Sequence, residues 1–177
     1  SETLSQKLDP ADPSTAPIFG DAATASLVLG GEAARDSRAH VFRPVLSAKG
    51  EDGSILKVPN DLGSHLSMDG PKVFLSAVKD MVRSLGDACT EAGIGLEDLS
   101  LIVPHQANQR IIEAIRYKLQ FPKEKMYSNI RHTGNTSSSS IPLCLERLLF
   151  EGSRGDHIGL CAFGGGFTFG GAILQLL

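Results

Sequence analysis

From Asp69 to Leu176, apolar residues switch repeatedly between helical and strand spacing, and a chain that does this has to stack its helices on a sheet. Val73, Phe74, Ala77, Val78, Met81, Val82, Leu85, Ala88, Cys89 and Ala92 recur at intervals of three and four. Asp69 is placed to cap that run, Pro71 falls in its first turn and Gly93 stops it, which predicts a long amphipathic helix. Leu99 to Val103 reads as a short strand. Gln106 to Leu119 reads as a helix with Ile111, Ile112, Ile115 and Leu119 on one face. A short strand at Met126 to Ser128, a helix over Ile141 to Phe150 and two strands, Ile158 to Phe163 and Thr168 to Leu176, complete the alternation. Ahead of the long helix, Ala23 to Leu29 alternates small or polar with apolar residues and ends at Gly30-Gly31, the pattern of a strand and turn. Val41 to Ala48 is a further strand candidate. Between it and Ser67, glycines with Asp52, Pro59, Asn60 and Asp61 suggest a long surface loop facing substrate. The expectation is one α/β domain over residues 1–177, with its polar motifs where strands end and helices begin.

Composition narrows the function classes. A chain of 177 residues that is 41% hydrophobic and 21% charged can bury one core. A net charge of -3 with scattered lysines and arginines lacks the basic stripe that neutralises nucleic-acid phosphates. No run approaches the roughly 18 apolar residues of a membrane helix, so no membrane partner is expected and a cytoplasmic location is. Cys89, Cys144 and Cys161 are odd in number and lack CxxC spacing, which indicates neither a disulfide framework nor a metal site. Cys89 also lies on the helical apolar stripe, where a thiol packs rather than reacts. The polar start, SETLSQKLDPADPSTAP, reads as a loop cut from something longer.

Three motifs carry chemistry. In VPHQANQRI (103–111), Pro104 keeps Val103 extended and presents His105 at the mouth of a helix. The positive helix end would hold His105 neutral and able to donate an N–H to a developing enolate; a capping or packing histidine is the plain alternative. In GNTSSSS (134–140), Thr133 or Asn135 can cap the next helix, and the Asn135 amide is also a second N–H donor of the oxyanion-binding kind. In AFGGGFTFGGAIL (162–174), three glycines let backbone N–H groups approach a negative oxygen, or simply form a wide hairpin.

In this order and spacing the motifs resemble the C-terminal half of the ketoacyl-ACP synthase III family, condensing enzymes of the thiolase fold. IFGDAATASLVL and LSMDGPKVF are similar to further segments of that family, so the resemblance covers nearly the whole chain. It implies one βαβαβαββ copy of the duplicated thiolase unit, with a mixed sheet and flanking helices. It implies decarboxylative condensation of malonyl-ACP with an acyl primer in fatty-acid initiation or a related pathway, with a non-catalytic carrier-binding partner of the same fold and a specialised quinolone or polyketide starter enzyme as alternatives. By resemblance, His105 and Asn135 are the catalytic donors and Gly165 supplies an oxyanion N–H. Gly70, Phe74, Ala107, Asn108 and Ile111 contact the pantetheine arm, and Phe163 and Phe167 line the acyl end. Arg110 and Lys118 meet acyl carrier protein, although Lys118 is equally well a solvated helix charge. The implied substrates are carried on CoA or on acyl carrier protein, no cofactor is needed, and the enzyme is a homodimer. The family's nucleophilic cysteine lies in an N-terminal half, and none of the three cysteines here matches it, so this chain alone is expected to be inactive. Ala22 and Thr24 replace customary glycines, and Pro71 replaces an amide-bearing residue, which puts one polar contact to the pantetheine arm in doubt.

Overall fold

The computed structural model describes residues 1–61 and 63–177. Its centre is a mixed sheet. β5 (Leu99–Pro104) runs parallel to β6 (His157–Gly164), β6 is antiparallel to β7 (Thr168–Leu176), and β7 is flanked by β1 (Ala39–Val41) and β2 (Val45–Ala48). A two-stranded ribbon, β3 (Leu56–Lys57) with β4 (Ser67–Met68), stands apart from it. Strand periodicity sorts the core into two layers. Ile102, Cys161 and Ile173 face one side, where α1 (Gly70–Ala92) and α2 (Gln109–Leu119) cover them with Ala77, Met81, Leu85, Ile111 and Ile115. Val103, Ile158 and Leu174 face the other side, against Cys144 and Leu148 of α3 (Ser140–Glu151).

α1 begins and ends where its local chemistry requires. The Asp69 carboxylate accepts from the Lys72 N–H at 3.2 Å, Pro71 sits in the first turn, and Gly93 closes the helix in the left-handed conformation at φ 71°. Asp80, fully buried on this helix, lies 2.6 Å from Lys49 Nζ and 3.2 Å from an Arg83 nitrogen, which anchors the chain just after β2. Lys49 in turn exchanges two backbone hydrogen bonds with Phe167, at 2.8 and 2.9 Å, so this anchor also holds the glycine turn between β6 and β7.

Three expected strands differ. Ala23–Leu29 forms no strand among the described residues, and Leu27 and Val28 are 84% and 81% exposed. Its alternation is real, but alternation produces a strand only where another strand offers a ladder. The expected strand Val41–Ala48 is two strands on the same partner. Three residues separate Val41 from Val45 while two separate their partners Leu174 and Gly171, so the chain bulges at Phe42–Pro44, where Pro44 has no N–H to donate. Among the described residues, Met126–Ser128 meets β5 through one bridge, Met126 with Ile102, and one backbone bond, Tyr127 N–H to the Ile102 carbonyl. The loop after β2 carries the β3–β4 ribbon; Leu62 within it lies outside the described residues. Among the described residues, no helix is long and apolar enough to cross a membrane.

Candidate active site

His105 directly follows β5. Its backbone N–H donates to the Cys161 carbonyl at 2.7 Å, so the residue is fastened to the sheet rather than to a helix. α2 starts four residues later because Asn108 caps it, its side-chain oxygen accepting from the Arg110 N–H at 2.8 Å. The expected cause of His105 neutrality is therefore wrong, although the state is as expected. The ring precedes the helix cap by three residues, and it is burial that lowers its pKa to about 4.

Stability should follow the protonation of this ring. Above pH 6.5 both folded and unfolded chains hold a neutral imidazole; between 6.5 and about 4 only the unfolded chain takes up the proton. The stabilisation associated with His105 is thus complete above pH 6.5 and falls as the pH drops through that window, by about 3 kcal/mol in all. Denaturant unfolding of the wild type and of His105→Gln across pH 4 to 7 checks this. The two stabilities should converge or cross on acidification, and parallel curves would contradict a buried neutral ring.

Asn135 is held by the segment near the N-terminus. Its N–H donates to the Ile18 carbonyl and its carbonyl accepts from the Gly20 N–H, both at 2.9 Å. The Asn135 side-chain oxygen accepts from the Ser137 N–H at 2.9 Å, which caps the short turn Ser137–Ser139 ahead of α3. Thr133 does not take that place. Capping and donating therefore coexist in Asn135: the Ser137 N–H claims the side-chain oxygen, and the Nδ2 hydrogens are left for a ligand.

Both residues line one cleft of about 920 Å³ whose walls are largely apolar. Ala107, Asn108 and Ile111 line it, and so do Phe163 and Gly165. The Phe163 ring meets the His105 ring edge-on at 5.7 Å between centroids. The expected substrate-facing loop does border the cleft, through Gly53, Leu56, Lys57, Val58 and Pro59, and Lys57 is the one lysine or arginine among the described lining residues. Gly166, at φ 140°, holds the turn beside Gly165 in a conformation open only to glycine.

Three expected contacts are placed elsewhere. Phe167 is fully buried with Val73 and Phe169, 6.3 Å behind Phe163, because the backbone bonds to Lys49 turn it into the core; it supports Phe163 instead of lining the cleft. Gly70 and Phe74 are not among the lining residues. Gly70 starts α1, and Phe74 packs partly buried against the main core, while Met68 and Val73 face the cleft in their stead. Arg110 and Lys118 are exposed on α2, and neither joins an ion pair among the described residues.

Sequence reasoning missed two contributors. Ile18 to Gly20, the IFG that opens the segment IFGDAATASLVL, clasps Asn135. Ser140, read only as part of a serine run, lies with its Oγ 2.6 Å from His105 Nδ1 and is 2% exposed. The three cysteines stay protonated, burial raising Cys89 and pushing Cys144 and Cys161 up to about 12.

Residues 89–176 match the family model described as 3-oxoacyl-[acyl-carrier-protein (ACP)] synthase III C terminal. That segment belongs to this family. It is similar to the beta-ketoacyl-[acyl-carrier-protein] synthase III of Aquifex aeolicus, 38% identical over 177 residues, covering 99% of this chain and 55% of that protein. Among solved structures it superposes on the 3-oxoacyl-(acyl carrier protein) synthase III of Pseudomonas aeruginosa with a TM-score of 0.84 at 34% identity, covering 98% of this chain and 55% of the other. It also superposes on the priming beta-ketosynthase of the R1128 polyketide biosynthetic pathway, with a TM-score of 0.80 at 31% identity, covering 98% and 54%. The chain thus spans little more than half the length of the ketoacyl-ACP synthase III relatives it matches, and its fold is the thiolase-like α/β arrangement of that family.

Proposed function

We propose that this chain supplies the enolate-stabilising half of a ketoacyl-ACP synthase III active site that condenses malonyl-ACP with an acyl primer, and that the nucleophilic cysteine comes from an N-terminal half. The observation that carries the reading is the pairing of a neutral His105 with the free amide of Asn135 on one apolar cleft. When the malonyl carboxylate leaves as carbon dioxide, the electrons of the broken C–C bond move into the thioester and place negative charge on its carbonyl oxygen. Two uncharged N–H donors stabilise that oxygen without the ion pair that a charged histidine would form with the substrate carboxylate. The α-carbon then attacks the carbonyl carbon of an acyl-cysteine. The tetrahedral oxyanion is held by backbone N–H groups, with Gly165 as this chain's donor, and collapses to the ketoacyl thioester as the cysteine thiolate departs.

The apolar walls formed by Ala107, Ile111, Phe163 and the 53–59 loop suit a pantetheine arm and acyl chain, and Asn108 adds one polar group. Exposed Arg110 and Lys118 suit the acidic surface of an acyl carrier protein. We also propose a homodimer for the whole enzyme and, from three unpaired thiols, a reducing, cytoplasmic setting. Likeness to a polyketide priming synthase favours a second reading for the primer, a specialised starter unit; turnover with a panel of acyl-CoA primers separates the two.

The experiment is reconstitution. The chain alone is expected to show no condensation, and to gain it when the cysteine-bearing half is supplied on the same or a separate polypeptide. Acyl transfer by the chain alone would overturn this division of the site.

A further inference from the structure

We propose that Ser140 is a positioning residue that sets the tautomer of His105, accepting no proton from the ring but donating its own hydroxyl hydrogen to Nδ1, so that the ring proton sits on Nε2. Hydrogen bonds in a buried place leave few alternatives. Ser140 Oγ lies 2.6 Å from Nδ1 and 3.3 Å from the Gln106 backbone nitrogen. A backbone N–H can only donate, so Gln106 occupies a lone pair of Oγ. The hydroxyl hydrogen then needs an acceptor at a residue that is 2% exposed, and among the described residues Nδ1 is the partner the geometry provides. The opposite tautomer would aim a ring N–H at Oγ and strand the hydroxyl hydrogen in the interior.

The frame that enforces this choice is rigid. Gln106 is fully buried, its amide nitrogen donating to the Pro104 carbonyl at 2.7 Å and its amide oxygen accepting from the Asn129 N–H at 3.0 Å. The Gln106 N–H that reaches Ser140 therefore has little freedom. Ser140 also stands only five residues after Asn135. One short segment thus orients both donors: the Ser137 N–H claims the Asn135 oxygen and leaves Nδ2, and the Ser140 O–H claims Nδ1 and leaves Nε2–H. The serine run acts as a device that presets two neutral N–H donors before any substrate arrives.

This inference rests on the proposed donor role of His105, but its test does not need turnover. The probe is 15N-histidine in the assembled enzyme, with the His105 ring nitrogens assigned by their loss in His105→Gln. In the wild type, Nδ1 should resonate as an unprotonated nitrogen and Nε2 as a protonated one. In Ser140→Ala the ring should become a mixture of tautomers, with kcat lowered about tenfold or more and KM little changed. A wild-type ring protonated on Nδ1 would overturn the proposal even if the variant failed to fold, and so would a Ser140→Ala ring identical to the wild type. If the tautomer behaves as stated but His105→Ala leaves decarboxylation intact, the donor reading fails while the assignment of Ser140 stands.

Discussion

His105→Ala and Asn135→Ala, made singly in the complete enzyme, should each lower the rate of malonyl decarboxylation by about 10² to 10³-fold, the effect of deleting one preorganised donor, about 3 to 4 kcal/mol. The double variant should fall short of the product of the two, because the donors act on one oxygen and the second loss removes less than the first. Asn135 offers a sharper version. Its oxygen caps the turn Ser137–Ser139, so Asn135→Ala loses a cap as well as a donor, with a stability cost of about 1 kcal/mol. Asn135→Asp keeps the capping oxygen and puts an acceptor with negative charge where the donor was. Folding should survive and decarboxylation should fall at least as far as in the alanine variant. An active Asn135→Asp enzyme would reduce Asn135 to a cap.

Gly171→Ala should destabilise the fold by about 3 kcal/mol, lowering Tm by about 6 to 12 °C for a chain of this size. Gly171 lies on β7 between Val45 of β2 and Cys161 of β6, directly under α1. A β-carbon there would fall 2.0 Å from the Ser84 carbonyl oxygen, 2.6 Å from its carbon and 3.1 Å from the Leu85 nitrogen. These are helix backbone atoms and cannot swing aside as a side chain would. Relief requires α1 to lift, which loosens Met81 and Leu85 against the sheet. The control is the same substitution on that helix. Gly86 is exposed, a β-carbon added there would meet nothing within 4 Å, and Gly86→Ala should raise stability by about 0.5 to 1 kcal/mol. Thermal melts of the pair should move in opposite directions; a Gly171→Ala protein that melts like the wild type would mean the helix does not ride this close to β7.

The parts of the fold that were legible share a physical feature. α1 could be read nearly to its ends because a cap, a proline in the first turn, an apolar stripe and a terminating glycine act within a few residues of one another. β6 and β7 were legible for a related reason, since a hairpin partner lies next along the chain. Ala23–Leu29 misled because a strand is completed by another strand, and its own residues cannot say whether one is there. Phe167 misled because its neighbour Phe163 does face the cleft, and nothing in a glycine-flanked phenylalanine says which way the turn rotates it.

Residue types and spacings along the chain were enough to specify which side chains could do chemistry, the long amphipathic helix, the layered α/β class and the family, because each of these is local or ordered in sequence. How those side chains are conditioned came only from packing. Burial, not a helix end, makes His105 neutral; the fold brings Ser140 to its Nδ1 from 35 residues away and sets Ile18 and Gly20 on either side of Asn135. Burial and hydrogen-bond partnership are properties of the whole packed chain, since desolvation depends on every element that closes over a group and a buried hydroxyl takes whatever acceptor the fold carries to it.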